Sequence, residues 1–161
     1  MCGIAGFLNL GNNHQKTEKE KYEILRKMNE AQRHRGPDDE GAFLENGCGL
    51  GHVRLSIIDL YRGHQPMCKK REGNTYAIIL NGEIYNMKPL KEQLIKEGEV
   101  FSTTSDTEVV LTGYIRHGIS YMEQLNGIFA IALWDGKRKK LYLIRDRVGV
   151  KPLFYTKQGD T

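Results

Sequence analysis

The stretch GIFAIALWDGKRKKLYLIR, residues 127–145, decides the architecture. Two apolar runs, 127–134 and 140–145, flank an Asp135-Gly136 turn, and such a pair closed by Asp-Gly reads as a β-hairpin. A hairpin joins antiparallel neighbours, so the sheet built around it is antiparallel. The basic run Lys137-Arg138-Lys139-Lys140 falls at the hairpin end and reads as a solvated tip.

The neighbouring segments repeat the pattern. TYAIIL (75–80) is a strand leading into Asn81-Gly82, and KPLFYT (151–156) predicts one more strand. GAFLE (41–45), an Asn46-Gly47 turn and CGLGHV (48–53) form a second hairpin. Residues 3–10 read as a buried strand, and RLSIIDL (54–60) as extended and buried. Between these pieces lie helical patterns. Thr17 and Glu20 form a capping box ahead of a face made by Ile24, Leu25, Met28 and Ala31, which ends before Gly36-Pro37. Residues 88–97 form a short helix with Pro89 early and Gly98 behind it. Ser105 and Glu108 predict a second capping box opening a helix that runs to about His117. Hairpins covered by helices make an α+β layered fold, not the strand–helix alternation of a parallel sheet.

The bulk numbers narrow the function classes. With 161 residues, 39% apolar and 27% charged, the chain can build one ordinary hydrophobic core, and no linker divides it. The net charge of +4 is spread along the chain, which argues against nucleic acid as a partner. No apolar run approaches the ~20 residues of a membrane span, and no secretory leader follows Met1. Three cysteines without a Cys-x-x-Cys pair argue against a disulfide framework and a zinc site and fit a reducing cytoplasm.

Position 2 is a cysteine. Removal of Met1 would leave it with a thiol and a free α-amine on one carbon. An unassisted thiol near pKa ~8.5 is only a few per cent ionised at neutral pH. An α-amine near ~7.7–8 can take its proton and later return it to a leaving amine, so no histidine is needed. Acyl transfer also needs donors for an oxyanion, and Asn81 with the unhindered Gly82 N–H offers a side-chain amide beside a backbone one. The same dipeptide is equally a hairpin turn. Arg54, inside an apolar stretch, suits either a substrate carboxylate or a structural ion pair. Asp106, at a helix start, suits either a substrate ammonium or a helix cap.

The motifs together carry more than any one alone. MCGIAGF, RHRGPDDEG, LGHVRLSIIDL, GHQPM, LNGEIYN, SDTEVVL, LNGIFAIALWD and RDRVGVKPLFY occur in this order. Over nearly its whole length the chain resembles the N-terminal glutaminase domain of glutamine-hydrolysing asparagine synthetases, which are class II, N-terminal-nucleophile glutamine amidotransferases. That resemblance implies a four-layer αββα sandwich of two antiparallel sheets. It implies that Cys2 forms a thioester with L-glutamine and that Asn81 and Gly82 make the oxyanion hole. Arg54 would hold the glutamine carboxylate, Leu55, Ser56, Ile57 and Ile58 would line the pocket, and Glu83 and Asp106 would lie near the ammonium. Residues 33–38 would shape the site. The domain, 1–161, would be truncated at its C-terminal end, where TKQGDT (156–161) has no closing element. It would need no cofactor or metal. ATP and Mg would serve only a synthetase domain, whose Ser/Gly-rich pyrophosphate loop is absent from these residues. The expected setting is the cytoplasm. The alternatives are an amidotransferase domain serving a different acceptor and a non-catalytic module that binds a metabolite or partner. A homodimer is left open.

Overall fold

The computed structural model describes residues 2–9, 16–55 and 63–158. Two antiparallel sheets form its centre. One holds β1 (Gly3–Leu8), β2 (Asp39–Glu45) and β3 (Cys48–Arg54) in the order β1-β3-β2. The other holds β4 (Met67–Arg71), β5 (Asn74–Ile84), β6 (Gly127–Asp135) and β7 (Lys140–Arg145), in that order. Three helices, α1 (Glu18–Ala31), α2 (Met87–Lys96) and α3 (Asp106–His117), cover them, with short 3₁₀ turns at Arg33–Arg35 and Ile119–Gln124.

The predicted hairpins are present. Asn46 (φ 49°) and Gly47 (φ 79°) both take left-handed backbone, as a two-residue turn between twisted strands requires. Glu72 (φ 53°) and Gly73 (φ 76°) close a β4–β5 hairpin by the same geometry, one that the sequence reading passed over. The β6–β7 connection differs from the Asp135-Gly136 turn read in the sequence: Asp135 pairs with Lys140 as the last residue of β6, and residues 136–139 cross to β7.

Alternation along the strands sorts side chains into two cores. Cys48 and Leu50 of β3 meet Ala77 and Ile79 of β5 and Ala132 and Trp134 of β6 between the sheets. The opposite faces of β5 and β6 turn Ile78, Leu80, Phe129, Ile131 and Leu133 toward Leu90 and Leu94 of α2 and Val109, Val110 and Tyr114 of α3. On the outer face of the first sheet, Leu25 and Asn29 of α1 lie over Gly49 and Gly51. A Cβ at Gly51 would strike the Asn29 side chain, so the glycines let the helix come close. The layers are therefore helix, sheet, sheet, helix, an α+β fold of the predicted kind.

Several local expectations change. β1 ends at Leu8 and is a half-buried edge strand, not a buried one. Ala31 is exposed, and the inner face of α1 instead buries Asn29, whose Nδ2 donates to the Gly41 carbonyl at 3.0 Å. The 151–156 segment forms no strand: Phe154 and Tyr155 are 89% and 83% exposed, and no described strand edge pairs with them. Thr17 and Glu20 do form a full capping box. At α3 only half of one forms, because Ser105 Oγ accepts from Glu108 N while the Glu108 carboxylate turns inward. Of RLSIIDL, only Arg54, in β3, and Leu55, just past it, belong to the described residues. Among the described residues, no helix is long and apolar enough to cross a membrane, and the three cysteines are free.

Candidate active site

Arg54 ends β3 and packs on its inner face, only 8% exposed. Its backbone is pinned by the loop before β2, where Pro37 bridges to it and Asp38 N donates to its carbonyl at 3.0 Å. The guanidinium runs alongside Gly63, where any Cβ would collide with it. Cys2 lies one residue before the Gly3↔Val53 pair, at the same end of the sheet. Arg35 Nε donates to the Cys2 carbonyl at 3.2 Å, which gives the 33–38 loop its place against Cys2. The Cys2 thiol, half-buried, points to the Leu55 carbonyl at 4.0 Å.

Asn81 and Gly82 are not a turn. Both lie inside β5, opposite Ala130 and Phe129 of β6. Asn81 is buried on the inter-sheet side, continuing the row of Ala77 and Ile79. Gly82 has φ 150°, outside the range that side chains favour, and a Cβ there would overlap the Ile128 carbonyl. Along a strand, alternate amides point to one edge. On the edge away from β6, Leu80 N donates to Gln65 Oε1 at 2.6 Å and Ile84 N donates to Asp106 Oδ2 at 3.0 Å. The amide of exposed Gly82 sits between these two, on the cavity side.

Asp106 therefore serves the backbone: one oxygen accepts from Ile84 and the other from Thr107 N at 2.7 Å. A carboxylate has about four lone-pair sites, so capacity for a further donor is left. Glu83 is exposed at the rim. The loop before α3 hangs on Glu108, which is 1% exposed and accepts from the backbone and hydroxyls of Ser102 and Thr103 and from Lys69 Nζ. Burial works to raise its pKa, but the bonds from Ser102, Thr103 and Lys69 outweigh it and hold the carboxyl at about 2. Asp146 accepts from the backbone amides of Lys151, Val150 and Phe129, which lower its pKa to about 2 and fix Lys151 in the cavity wall. Burial pushes the Cys48 thiol up to about 12, which leaves it inert, and pushes His52 down to about 4, which leaves it neutral.

Cys2, Arg54, Leu55, Asn81, Gly82, Glu83 and Asp106 all line one cavity of about 340 Å³. That is the small end of the ~300–1,000 Å³ usual for ligand pockets and suits an amino-acid-sized occupant. Ser56, Ile57 and Ile58 lie outside the described residues. Gln65, Thr104 and Lys151 also line the cavity, and the sequence reading gave none of them a role. Of the three, Gln65 and Lys151 sat in quoted motifs, GHQPM and RDRVGVKPLFY.

Comparison with known proteins agrees with this geometry. The profile of the glutamine amidotransferase domain matches residues 1–161. Asparagine synthetase (glutamine-hydrolyzing) 3 of Bacillus subtilis strain 168 is 43% identical over 161 residues, all of this chain and 26% of that protein. The chain thus spans about a quarter of the curated relative it matches. Among solved structures, the glutamine phosphoribosylpyrophosphate amidotransferase of B. subtilis superimposes with a TM-score of 0.50 at 27% identity, over 58% of this chain and 22% of that one. A structure described as the allosteric regulatory enzyme of purine biosynthesis does so with a TM-score of 0.57 at 25% identity, over 68% of this chain and 25% of that one. The match of that profile to the whole of residues 1–161, on this layered scaffold, makes the chain a member of the glutamine amidotransferase domain family.

Proposed function

We propose that the chain is a glutaminase domain that hydrolyses L-glutamine to glutamate and ammonia. The observation that carries this reading is the convergence of Cys2, Arg54, Asn81, Gly82, Glu83 and Asp106 on one cavity. Once Met1 is removed, the Cys2 α-amine takes the thiol proton and sulfur attacks the side-chain carbonyl carbon of glutamine. The Asn81 side-chain amide and the Gly82 N–H receive the oxyanion. The C–N bond breaks, the ammonium returns its proton to the leaving nitrogen, and ammonia departs from a thioester. Water, deprotonated by the same amine, attacks the thioester and frees glutamate and the thiol. Arg54 holds the substrate carboxylate with a planar fork, and Glu83 and Asp106 face its ammonium.

In the longer protein we place this domain beside an ATP- and Mg-dependent synthetase domain that uses the ammonia to make asparagine from aspartate, in the cytoplasm. The support is the 26% share of the B. subtilis relative that this chain matches. The glutaminase step itself calls on no cofactor. The test is intact-mass analysis before and after 6-diazo-5-oxo-L-norleucine, a glutamine-mimicking alkylating agent. A mass lacking Met1, with one adduct on Cys2 blocked by glutamine, is expected. Cys2→Ala should take no adduct and release no glutamate, and full activity in that variant would reject the mechanism.

A further inference from the structure

The β4–β5 register places Met67 opposite Ile78, and continuing it by two residues would place Gln65 opposite Leu80. β4 nevertheless starts at Met67. Pro66 has no N–H to give a ladder, and the Gln65 backbone is turned to the other sheet, where its carbonyl is so close to Gly41 that any Cβ there would collide with it. The side chain takes over. Leu80 N donates to Gln65 Oε1 at 2.6 Å, and Gln65 Nε2 donates to Leu80 O at 3.4 Å. That is the reciprocal bond pair of an antiparallel ladder, made by a carboxamide in place of a peptide group. The same Nε2 reaches Thr107 Oγ1 at 3.3 Å, beside Asp106. Gln65 is 7% exposed and lines the cavity.

We infer that Gln65 is a positioning residue that acts as a one-residue substitute strand. Beyond the end of β4 it holds the Leu80 peptide, and through it the adjacent Asn81 and Gly82 donors, at the depth the oxyanion requires. It clamps the first sheet, β5 and the start of α3 at one point. The catalytic part of this inference rests on the glutaminase reading; the clamp itself does not. An apolar side chain of similar size would fill the space but release β5, and a displacement of about 1 Å at a catalytic group can cost on the order of 10²-fold in rate.

The experiment compares wild type, Gln65→Leu and Gln65→Glu in the full-length protein that carries this chain. In Gln65→Leu, kcat for glutamine should fall about 10- to 100-fold while KM stays within about threefold, because the oxyanion forms only after binding. Amide hydrogen exchange at Leu80 should rise by about tenfold, as the loss of one hydrogen bond requires. Alkylation of Cys2 by iodoacetamide, which forms no oxyanion, should keep its wild-type rate. Gln65→Glu can still accept from Leu80 N and can donate to Leu80 O only when protonated, so its kcat relative to wild type should recover as the pH falls. Unchanged Leu80 exchange in Gln65→Leu, or a raised KM with unchanged kcat, would overturn the inference. If wild type releases no glutamate while Leu80 exchange still rises in the variant, the clamp stands and the glutaminase reading fails.

Discussion

At the residue scale, the proposed glutaminase mechanism calls on two amides and one guanidinium that near relatives would not replace. Asn81 is buried on the inter-sheet side of β5 and reaches the cavity from there. Asn81→Ala should lower kcat by about 10²–10³ with little change in thermal stability, since one oxyanion donor is worth about that much. Steady-state glutamate release checks it, and an unchanged rate would return Asn81 to a structural role. Arg54 is held by its backbone at Pro37 and Asp38 and by its side chain against Gly63, so its fork is set before substrate arrives. Arg54→Lys replaces two parallel donors by a point charge. Its expected effect is a rise in KM for glutamine of about tenfold or more, the loss of one charge-assisted hydrogen bond. An unaltered KM in the same assay would reject the carboxylate role.

At the element scale, the start of α3 is the sensitive joint. Thr104, Ser105 and Asp106 line the cavity, and the loop that carries them hangs on the buried Glu108 carboxylate. The folded pKa of Glu108, about 2, lies below its ordinary 4.5. A depressed carboxyl pKa stabilises the fold above the unfolded value, and that contribution is lost as the pH falls from 4.5 through about 2. Glu108→Gln should cost on the order of 2–3 kcal/mol at neutral pH, as loss of hydrogen bonds to a charged group does, and should flatten the acid limb of the stability profile. Urea melts of both proteins between pH 7 and pH 3 check this, and parallel profiles would remove Glu108 from the account. The sequence pattern Ser-x-x-Glu was right about the helix start and wrong about the glutamate, since a capping box describes neighbours along the chain and Lys69 is not one of them.

At the scale of the whole molecule, the inter-sheet core and the site share the same strands. Cys48, Leu50, His52 and Arg54 lie on one face of β3, and Ala77, Ile79 and Asn81 on the facing side of β5, so packing at one end of each row sets geometry at the other. Trp134 Nε1 donates to Glu45 Oε2 at 3.0 Å, a polar link between the sheets. Leu50 is fully buried in this layer, and Leu50→Ala should destabilise by about 2–5 kcal/mol through lost burial and a cavity. Equilibrium urea unfolding measures it, and a cost below about 1 kcal/mol would mean that the sheets pack more loosely than described.

The sequence by itself determined two of the three hairpins among the described residues, the helix starts and the residue types that bear chemistry, because each depends on groups within a few positions of one another. Asn46-Gly47 demands left-handed backbone wherever it folds, and Thr17 caps a helix three residues away. Local pattern also placed Cys2, Arg54, Asn81, Gly82 and Asp106 on a short roster of candidates. Only the tertiary structure decided what Asn81-Gly82 is. The same dipeptide is a turn when its amides bond within a hairpin, and a cavity-lining stretch of strand when β6 pairs with one edge of it and Gln65 and Asp106 close the other on either side of Gly82. Those partners stand 15 to 50 residues away along the chain, and a hydrogen bond between groups so distant leaves no periodic trace in the sequence between them. The burial of Asn29 has the same origin: its Nδ2 donates to the carbonyl of Gly41, which lies on another element.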